Sequence, residues 1–180
     1  TDIGCEVASL GVQIHGGMGF IEETGAAQHY RDCRIGPIYE GTNGIQAADL
    51  VGRKLSGDAG SEMARLIADI RAESTDAGLL ALVAEVEALS EHLLGVDAND
   101  RLAASVPFLQ MVSVMTAGWL MERQAKVAAQ AEGDPVFLKN KIAAARWYLT
   151  HATSEALGLA TSVRAGADGL YDLSADELAA

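Results

Sequence analysis

The sequence predicts an all-α fold, an antiparallel helical bundle with up-down topology, and three observations predict it. Apolar residues recur at three- and four-residue spacing along most of the chain, and no extended run alternates strictly in twos. Only three prolines interrupt 180 residues, and proline is the strongest breaker of a helix interior. The apolar share is 49%, enough for a sizeable core in one domain or one and a fraction.

The first helix is predicted over 2–15, with Ile3, Val7, Leu10 and Ile14 on one face and a glycine-rich stop after His15. Its pattern is already under way at the first residues, with no cap before Thr1, so the chain is read as the C-terminal part of a longer protein. A second helix covers 24–34 and stops before Gly36-Pro37. Arg31 and Asp32 on it are read as bridges to neighbouring helices. A third is capped at Thr42-Asn43 and runs to Leu55, turning Ile45, Leu50, Val51 and Leu55 inward. Ser56-Gly57-Asp58-Ala59-Gly60 then reads as a linker, dividing the chain into 1–56 and 57–180.

The second part reads as four helices joined by short connections, the basis for the up-down bundle. Met63, Leu66, Ile67 and Ile70 form one apolar stripe. Leu79, Leu82, Val83, Val86, Leu89 and Leu93 form another, closed by Gly95, with Glu85, Glu87 and Glu91 on other faces. The next helix spans 99–131, with Pro107 in its first turns or kinking it and an inner face of Leu109, Val112, Met115, Trp119 and Leu120. Gly133-Asp134-Pro135 reads as stop, cap and first helical position. The last helix then runs to about 165, roughly 45 Å at 1.5 Å per residue. Met111, Met115, Met121, Trp119 and Trp147-Tyr148 are assigned to the core, and His92 and His151 to local polar pairing. The tail 170–177 is expected to fold back as one turn or to stay disordered.

Charge narrows the function classes. The net charge is −12, which argues against nucleic acid and anionic membranes as partners. No apolar run of about twenty residues could span a bilayer. Cys5 and Cys33 form no disulfide framework and are read as reduced thiols in a cytoplasmic protein. His29 and Cys33 lie four apart on a predicted helix, but two ligands do not make a metal site, so no metal is expected.

The most informative stretch is Ile38-Tyr39-Glu40-Gly41-Thr42-Asn43-Gly44-Ile45-Gln46. It sets one carboxylate between apolar side chains and a glycine, just before a helix. A carboxylate buried there would be a stronger base than one in water. It could equally be an acid favoured by the dipole of the next helix. Upstream lies Gln13-Ile14-His15-Gly16-Gly17-Met18-Gly19-Phe20, whose glycines allow a sharp turn and close approach of a ligand to the backbone. Such a loop suits a pyrophosphate or another anion, or is simply a helix stop.

Together, QIHGGMGF, YRDCRIGPIYEGTNGIQ and AADLVGRKL resemble the flavin-dependent acyl-CoA dehydrogenases over residues 1–56. The resemblance implies that Glu40 is the base removing the α-proton of an acyl-CoA while a hydride leaves the β-carbon for FAD, giving a trans-2-enoyl-CoA. It implies that Gln13, Gly16 and Gly17 contact the ADP half of a FAD held mainly by a neighbouring subunit. Thr42 and Gly44 would approach the flavin of their own subunit, and Tyr39 and Gly41 would line the thioester site. It further implies an electron-transfer acceptor protein and a homodimer or dimer of dimers. Phe20 stands where many relatives carry tyrosine, and Gly44 where many carry a longer polar residue. Nothing in the chain reads as the β-barrel that supplies much of the pocket in that family, so the chain alone is expected to be inactive. Residues 57–180 resemble the extra helical C-terminal segment of longer bacterial members.

Two further readings stay open. A superfamily member could run oxidase chemistry or act on a sulfur-containing acyl-CoA. A non-catalytic helical interaction module could retain the motif as structure.

Overall fold

Helices supply every regular element, and no strand is present in the computed structural model, which describes residues 1–180. The chain divides into two compact units, Thr1–Gln46 and Ala47–Ala180.

The first unit holds α1 (Asp2–Ile14), α2 (Gly17–Phe20), a 3-10 turn (Glu22–Thr24) and α3 (Ala26–Cys33). The second helix begins later than the 24–34 expected because Gly25 takes φ 82°, a left-handed step that a helix cannot continue through. The Thr24 hydroxyl donates to the Met18 carbonyl across the turn. Cys5, the buried side chain of α1, donates from Sγ to the Cys33 carbonyl at 3.4 Å and ties α1 to α3. Burial pushes the Cys33 thiol pKa up, and the neighbouring Cys5 adds to the shift. Arg31 bridges to Glu22 of the 3-10 turn at 3.1 Å, whereas Asp32, expected to bridge as well, enters no ion pair. The stripe Ile3, Val7, Leu10 and Ile14 is present on α1, yet all four side chains are exposed.

In the second unit, α4 (Asn43–Asp49), which carries the chain into it, continues through a π-helical segment (Leu50–Lys54) into α5 (Leu55–Gly57). Helical geometry thus persists into the stretch expected to be linker. The widened turn is satisfied on the spot: the Leu55 N–H reaches the Leu50 carbonyl, and the Ser56 hydroxyl donates to the Val51 carbonyl at 2.8 Å. Val51 and Leu55 enter the core as expected, whereas Ile45 is 60% exposed. Ile45 lies in the first turn of α4, ahead of the residues that meet the second core.

Asp58 caps α6 (Ser61–Glu73), accepting the N–H of Gly60 at 3.0 Å and of Glu62 at 2.9 Å. α7 (Ala77–Gly95) follows, capped by Asp76, then α8 (Ala98–Ala103) and α9 (Ser105–Ala128). The core is built from Ile67 and Ile70 of α6, the six apolar residues of α7 expected from sequence, and Phe108, Met111, Val112 and Met115 of α9.

The helix expected over 99–131 is broken at Ala104. Pro107 has no N–H for the Ala103 carbonyl, and its ring crowds that carbonyl, so α9 starts afresh with its own phase. Phe108 and Met111 therefore fill the core, Leu109 is half-buried, and Leu120 is 51% exposed where an inward residue was expected. Trp119 is half-buried and donates from Nε1 to Glu73 at 2.9 Å, with Arg123 5.1 Å over its ring.

Asp134 caps α10 (Pro135–Leu157) with Pro135 in its first turn, as predicted. This helix runs antiparallel to α9 and stops at Leu157, about 35 Å long. At Gly158 the N–H drops back to the Glu155 carbonyl at 3.1 Å, and α11 (Ala160–Ala165) turns onto the core through Val163 and an Arg164–Glu85 pair at 2.5 Å. Trp147, expected in the core, is 60% exposed and packs on His151 with ring centroids 5.2 Å apart. The tail forms a single turn, α12 (Ala175–Leu178), closed by a capping box between Ser174 and Glu177. No helix is long and apolar enough to cross a membrane.

Candidate active site

The segment after α3 folds as a chain of tight turns that ends on an unusual backbone. The N–H groups of Ile38 and Tyr39 both donate to the Ile35 carbonyl at 3.1 Å. Glu40 then takes φ 54° and Gly41 φ 81°. Glycine enters the left-handed region freely, but a side chain there is held at a cost. Glu40 and Ala59 are the two non-glycine residues of the chain with positive φ.

Four hydrogen bonds hold this conformation. Gln46 Nε2 donates to the Glu40 carbonyl at 3.2 Å. The Asn43 N–H donates to the Pro37 carbonyl at 3.3 Å. The Asn43 side chain receives a bond from the Thr1 hydroxyl at 2.9 Å and donates to Asp2 at 2.7 Å, tethering the segment to the start of α1. Thr42 caps α4, its hydroxyl accepting the Ile45 N–H at 3.3 Å. The hydroxyl of Thr42 thus takes the capping role that the helix-dipole reading would give Glu40.

Glu40 is exposed, and its carboxylate makes no hydrogen bond or ion pair within the chain. Burial of this group, expected from its apolar neighbours, is not supplied by residues 1–46. Tyr39 is 57% exposed and Ile38 also faces out, because no second layer of this unit covers the segment. Glu40 is presented by a braced backbone and stands open to solvent.

The glycines separate by what each one answers to. Gly19 is structural: a Cβ there would sit 2.2 Å from the Val12 carbonyl oxygen, so α2 rests on α1 through bare backbone. Gly16 is conformational, with φ 62° and its N–H donating to the Gln13 carbonyl at 3.0 Å. Gly17 and Gly44 have ordinary φ, and a Cβ on either meets nothing closer than the Thr42 hydroxyl 3.7 Å from Gly44. Nothing in the fold of the chain requires glycine at these two positions, so the open space there suits close approach of something from outside.

The sequence-derived residues form two groups. Tyr39, Glu40, Gly41, Thr42 and Gly44 are contiguous and tethered beside Thr1 and Asp2. Gln13, Gly16 and Gly17 close the other end of α1, on the order of 18 Å away along a helix of this length. All eight are exposed. An amide, glycine backbones and one hydroxyl are a donor set that fits a neutral-to-anionic cofactor such as FAD, and no residue in either group obstructs it. One residue of the site had no assigned role from sequence: Gln46 closes the quoted motif and braces Glu40. Asn43, expected with Thr42 as the cap, supplies the tether instead.

Comparison with known proteins identifies both regions of the chain. Residues 1–56 match the family described as acyl-CoA dehydrogenase, C-terminal domain, and residues 60–174 match the one described as acetyl-CoA dehydrogenase C-terminal like. The 3-methylmercaptopropionyl-CoA dehydrogenase of Ruegeria pomeroyi is 49% identical over 164 residues, covering 81% of this chain and 28% of that protein. A butyryl-CoA dehydrogenase of Syntrophomonas wolfei is 31% identical over 182 residues, covering 90% of this chain and 30% of its own length. The caffeyl-CoA reductase-Etf complex subunit CarC of Acetobacterium woodii is 44% identical over 55 residues, 31% of this chain and 14% of that protein. The chain therefore spans under a third of the length of these relatives, and with its two matched regions it belongs to the acyl-CoA dehydrogenase family, as C-terminal helical sequence.

Proposed function

We propose that this chain is the base-bearing C-terminal part of a FAD-dependent acyl-CoA dehydrogenase that converts an acyl-CoA to a trans-2-enoyl-CoA. The observation that carries the reading is the unpaired Glu40 carboxylate, held on a left-handed backbone between Tyr39 and Gly41. Glu40 takes the α-proton. Gly41 leaves room for the thioester to come close, and Tyr39 offers an apolar wall. FAD, when bound, accepts the hydride from the β-carbon.

A thioester α-proton is too weakly acidic for a fully hydrated carboxylate. The exposed Glu40 therefore needs further protein around it before it can work, and the chain by itself is inactive. The separation of the two residue groups along α1 supports two destinations. Thr42 and Gly44 serve the flavin of their own subunit. Gln13, Gly16 and Gly17 serve the ADP half of a FAD in a neighbouring subunit, within a homodimer or dimer of dimers. Electrons then pass to an acceptor protein in the cytoplasm. Residues 57–180 act as an additional C-terminal unit on the catalytic body of residues 1–56 and what precedes it.

A sulfur-containing acyl-CoA is a second reading of the substrate, favoured by the 49% identity to a 3-methylmercaptopropionyl-CoA dehydrogenase. One experiment addresses both. Purified full-length enzyme is titrated anaerobically with straight-chain and sulfur-containing acyl-CoAs while flavin absorption is followed, with Glu40→Gln alongside. Bleaching by one class names the substrate. In Glu40→Gln, FAD content stays unchanged and turnover falls by about 10²- to 10⁴-fold. Undiminished bleaching in that variant would refute the assignment of the base.

A further inference from the structure

The two cysteines of the chain, Cys5 and Cys33, stand 28 residues apart in sequence and meet where α1 packs on α3. The Cys5 thiol donates to the Cys33 carbonyl at 3.4 Å, and the Cys33 thiol donates to the Tyr30 carbonyl at 3.2 Å. The two thiols are free and lie within hydrogen-bonding reach of each other. A single buried cysteine is accounted for as a small apolar side chain. A second thiol set against it, on the last residue of α3 and only half-buried, is not explained by packing.

The pair divides into the two parts that thiol–disulfide exchange needs. Cys33 is open enough to meet a small reagent, and Cys5 waits behind it, buried. Burial and the neighbouring Cys5 hold the Cys33 thiol pKa up. The resting pair is therefore two thiols that exchange slowly, unlike a fast-reacting thiolate.

The joint also touches both anchors of the segment that carries Glu40. Thr1 and Asp2, one turn before Cys5, hold the Asn43 side chain. The Cys33 carbonyl that accepts the Cys5 thiol also accepts the Gly36 N–H at 3.1 Å, at the start of the turns that lead to Glu40. A bond between the sulfurs closes the loop 5–33 and fixes one anchor against the other.

We propose that Cys5 and Cys33 form a thiol–disulfide exchange site that takes a low-molecular-weight disulfide as its oxidant and closes to a reversible Cys5–Cys33 bond. The Cys33 thiolate attacks one sulfur of the oxidant, forming a mixed disulfide and releasing one thiolate. The Cys5 thiolate then attacks the Cys33 sulfur and expels the second. The protein pair loses two electrons, the oxidant gains them, and the two thiol protons pass to the two thiolates released.

The test treats folded full-length enzyme with oxidised glutathione, blocks the remaining thiols with iodoacetamide and digests with trypsin without reduction. The expected product is the peptide ending at Arg31 joined through Cys5 to Asp32-Cys33-Arg34, released again by dithiothreitol. Cys5→Ser keeps a hydroxyl donor for the Cys33 carbonyl and removes the resolving sulfur. A thiol held against the adduct reacts far faster than one free in solution, so the variant should carry about tenfold or more glutathione on Cys33 than the parent. Both thiols left open to iodoacetamide, either one joined to a cysteine elsewhere, or an internal bond that forms only in urea would each overturn the proposal. So would a Cys33 adduct equally abundant in parent and variant.

Discussion

Gln46 Nε2 donates to the Glu40 carbonyl at 3.2 Å and so fastens a left-handed glutamate to the first turn of the helix that follows it. Its amide nitrogen also lies 3.3 Å from where a Cβ on Gly41 would stand, so the same side chain limits what can occupy the next position. On the proposed reading, Gln46 positions the base without touching the reacting atoms.

That relationship predicts the behaviour of Gln46→Met in the full-length enzyme, a change that keeps the length of the side chain and removes the donor. Small displacements of a catalytic group cost up to about a hundredfold in rate, and kcat should fall by roughly ten- to a hundredfold. FAD content and KM should hold, and Tm should move by only a few degrees because one exposed hydrogen bond contributes about 1 kcal/mol. Steady-state kinetics with flavin quantitation checks this. A fall in bound FAD that accounts for the whole loss would contradict the positioning role.

Much of this architecture could be read from residues alone, and the failures have local causes. The Asp134-Pro135 start of α10, the Thr42 cap and the α7 stripe follow from rules that act within one turn. The α9 phase was lost because Pro107 sits beyond the first turn of the expected helix, where it breaks the hydrogen-bond ladder and not merely the start. Ile45 and Trp147 share another cause. Periodicity shows that a face is apolar, and it does not show that anything packs there. Glu40 belongs to the same class: its neighbours are apolar, but burial depends on a layer that residues 1–46 do not contain. Its positive φ had no signal beyond the glycine that follows, and the brace from Gln46 had none.

Ala59 gives a stability prediction at the second positive-φ residue. Its φ is 54° and the side chain is exposed, so the methyl group gains no packing for its strain. Ala59→Gly should stabilise the chain by about 0.5–1 kcal/mol, the relief being partly offset by the greater unfolded-state entropy of glycine. Gly60→Ala should do the reverse, since φ is 82° and a Cβ would lie 3.1 Å from Leu94 Cδ1. Urea denaturation of both variants measures the pair. Equal midpoints would refute the strain argument.

Arg101 is the node that joins the end of α7 to α5. Its Nε donates to the Leu93 carbonyl at 2.8 Å, Nη2 to the Val96 carbonyl at 2.9 Å and Nη1 to the Ser56 hydroxyl at 2.6 Å. A lysine cannot serve three acceptors spread around a planar fork. Arg101→Lys should therefore cost about 2–4 kcal/mol through partly buried acceptors left unpaired. Arg71→Lys, at a bidentate pair with Glu87 whose side chains are each 42% exposed, should cost no more than about 1 kcal/mol. Denaturant midpoints of the two variants should differ accordingly, and the reverse order would sink this account of the α5–α7 joint.

Glu122 makes acid stability a local property. Burial opposes its ionisation, but Lys126 at 2.8 Å and the N–H and hydroxyl of Thr75 outweigh it and hold the carboxyl at about 2. The Thr75 N–H and hydroxyl each donate to Oε1 at 2.9 Å, so ionised Glu122 fastens the α6–α7 turn to α9. A depressed folded pKa contributes stability that is fully present above the ordinary carboxylate value near 4.5 and is lost as pH falls toward 2. The amount at neutral pH is on the order of 3 kcal/mol. Other carboxylates with lowered pKa values, among them Asp58 and Glu87, add to the total acid sensitivity, so the informative quantity is the difference from Glu122→Gln. That variant should be less stable at pH 7, and the gap should close between about pH 4.5 and 2. Denaturant curves at stepped pH measure it, and a gap that persists unchanged at pH 2 would show that Glu122 acts through packing instead of charge.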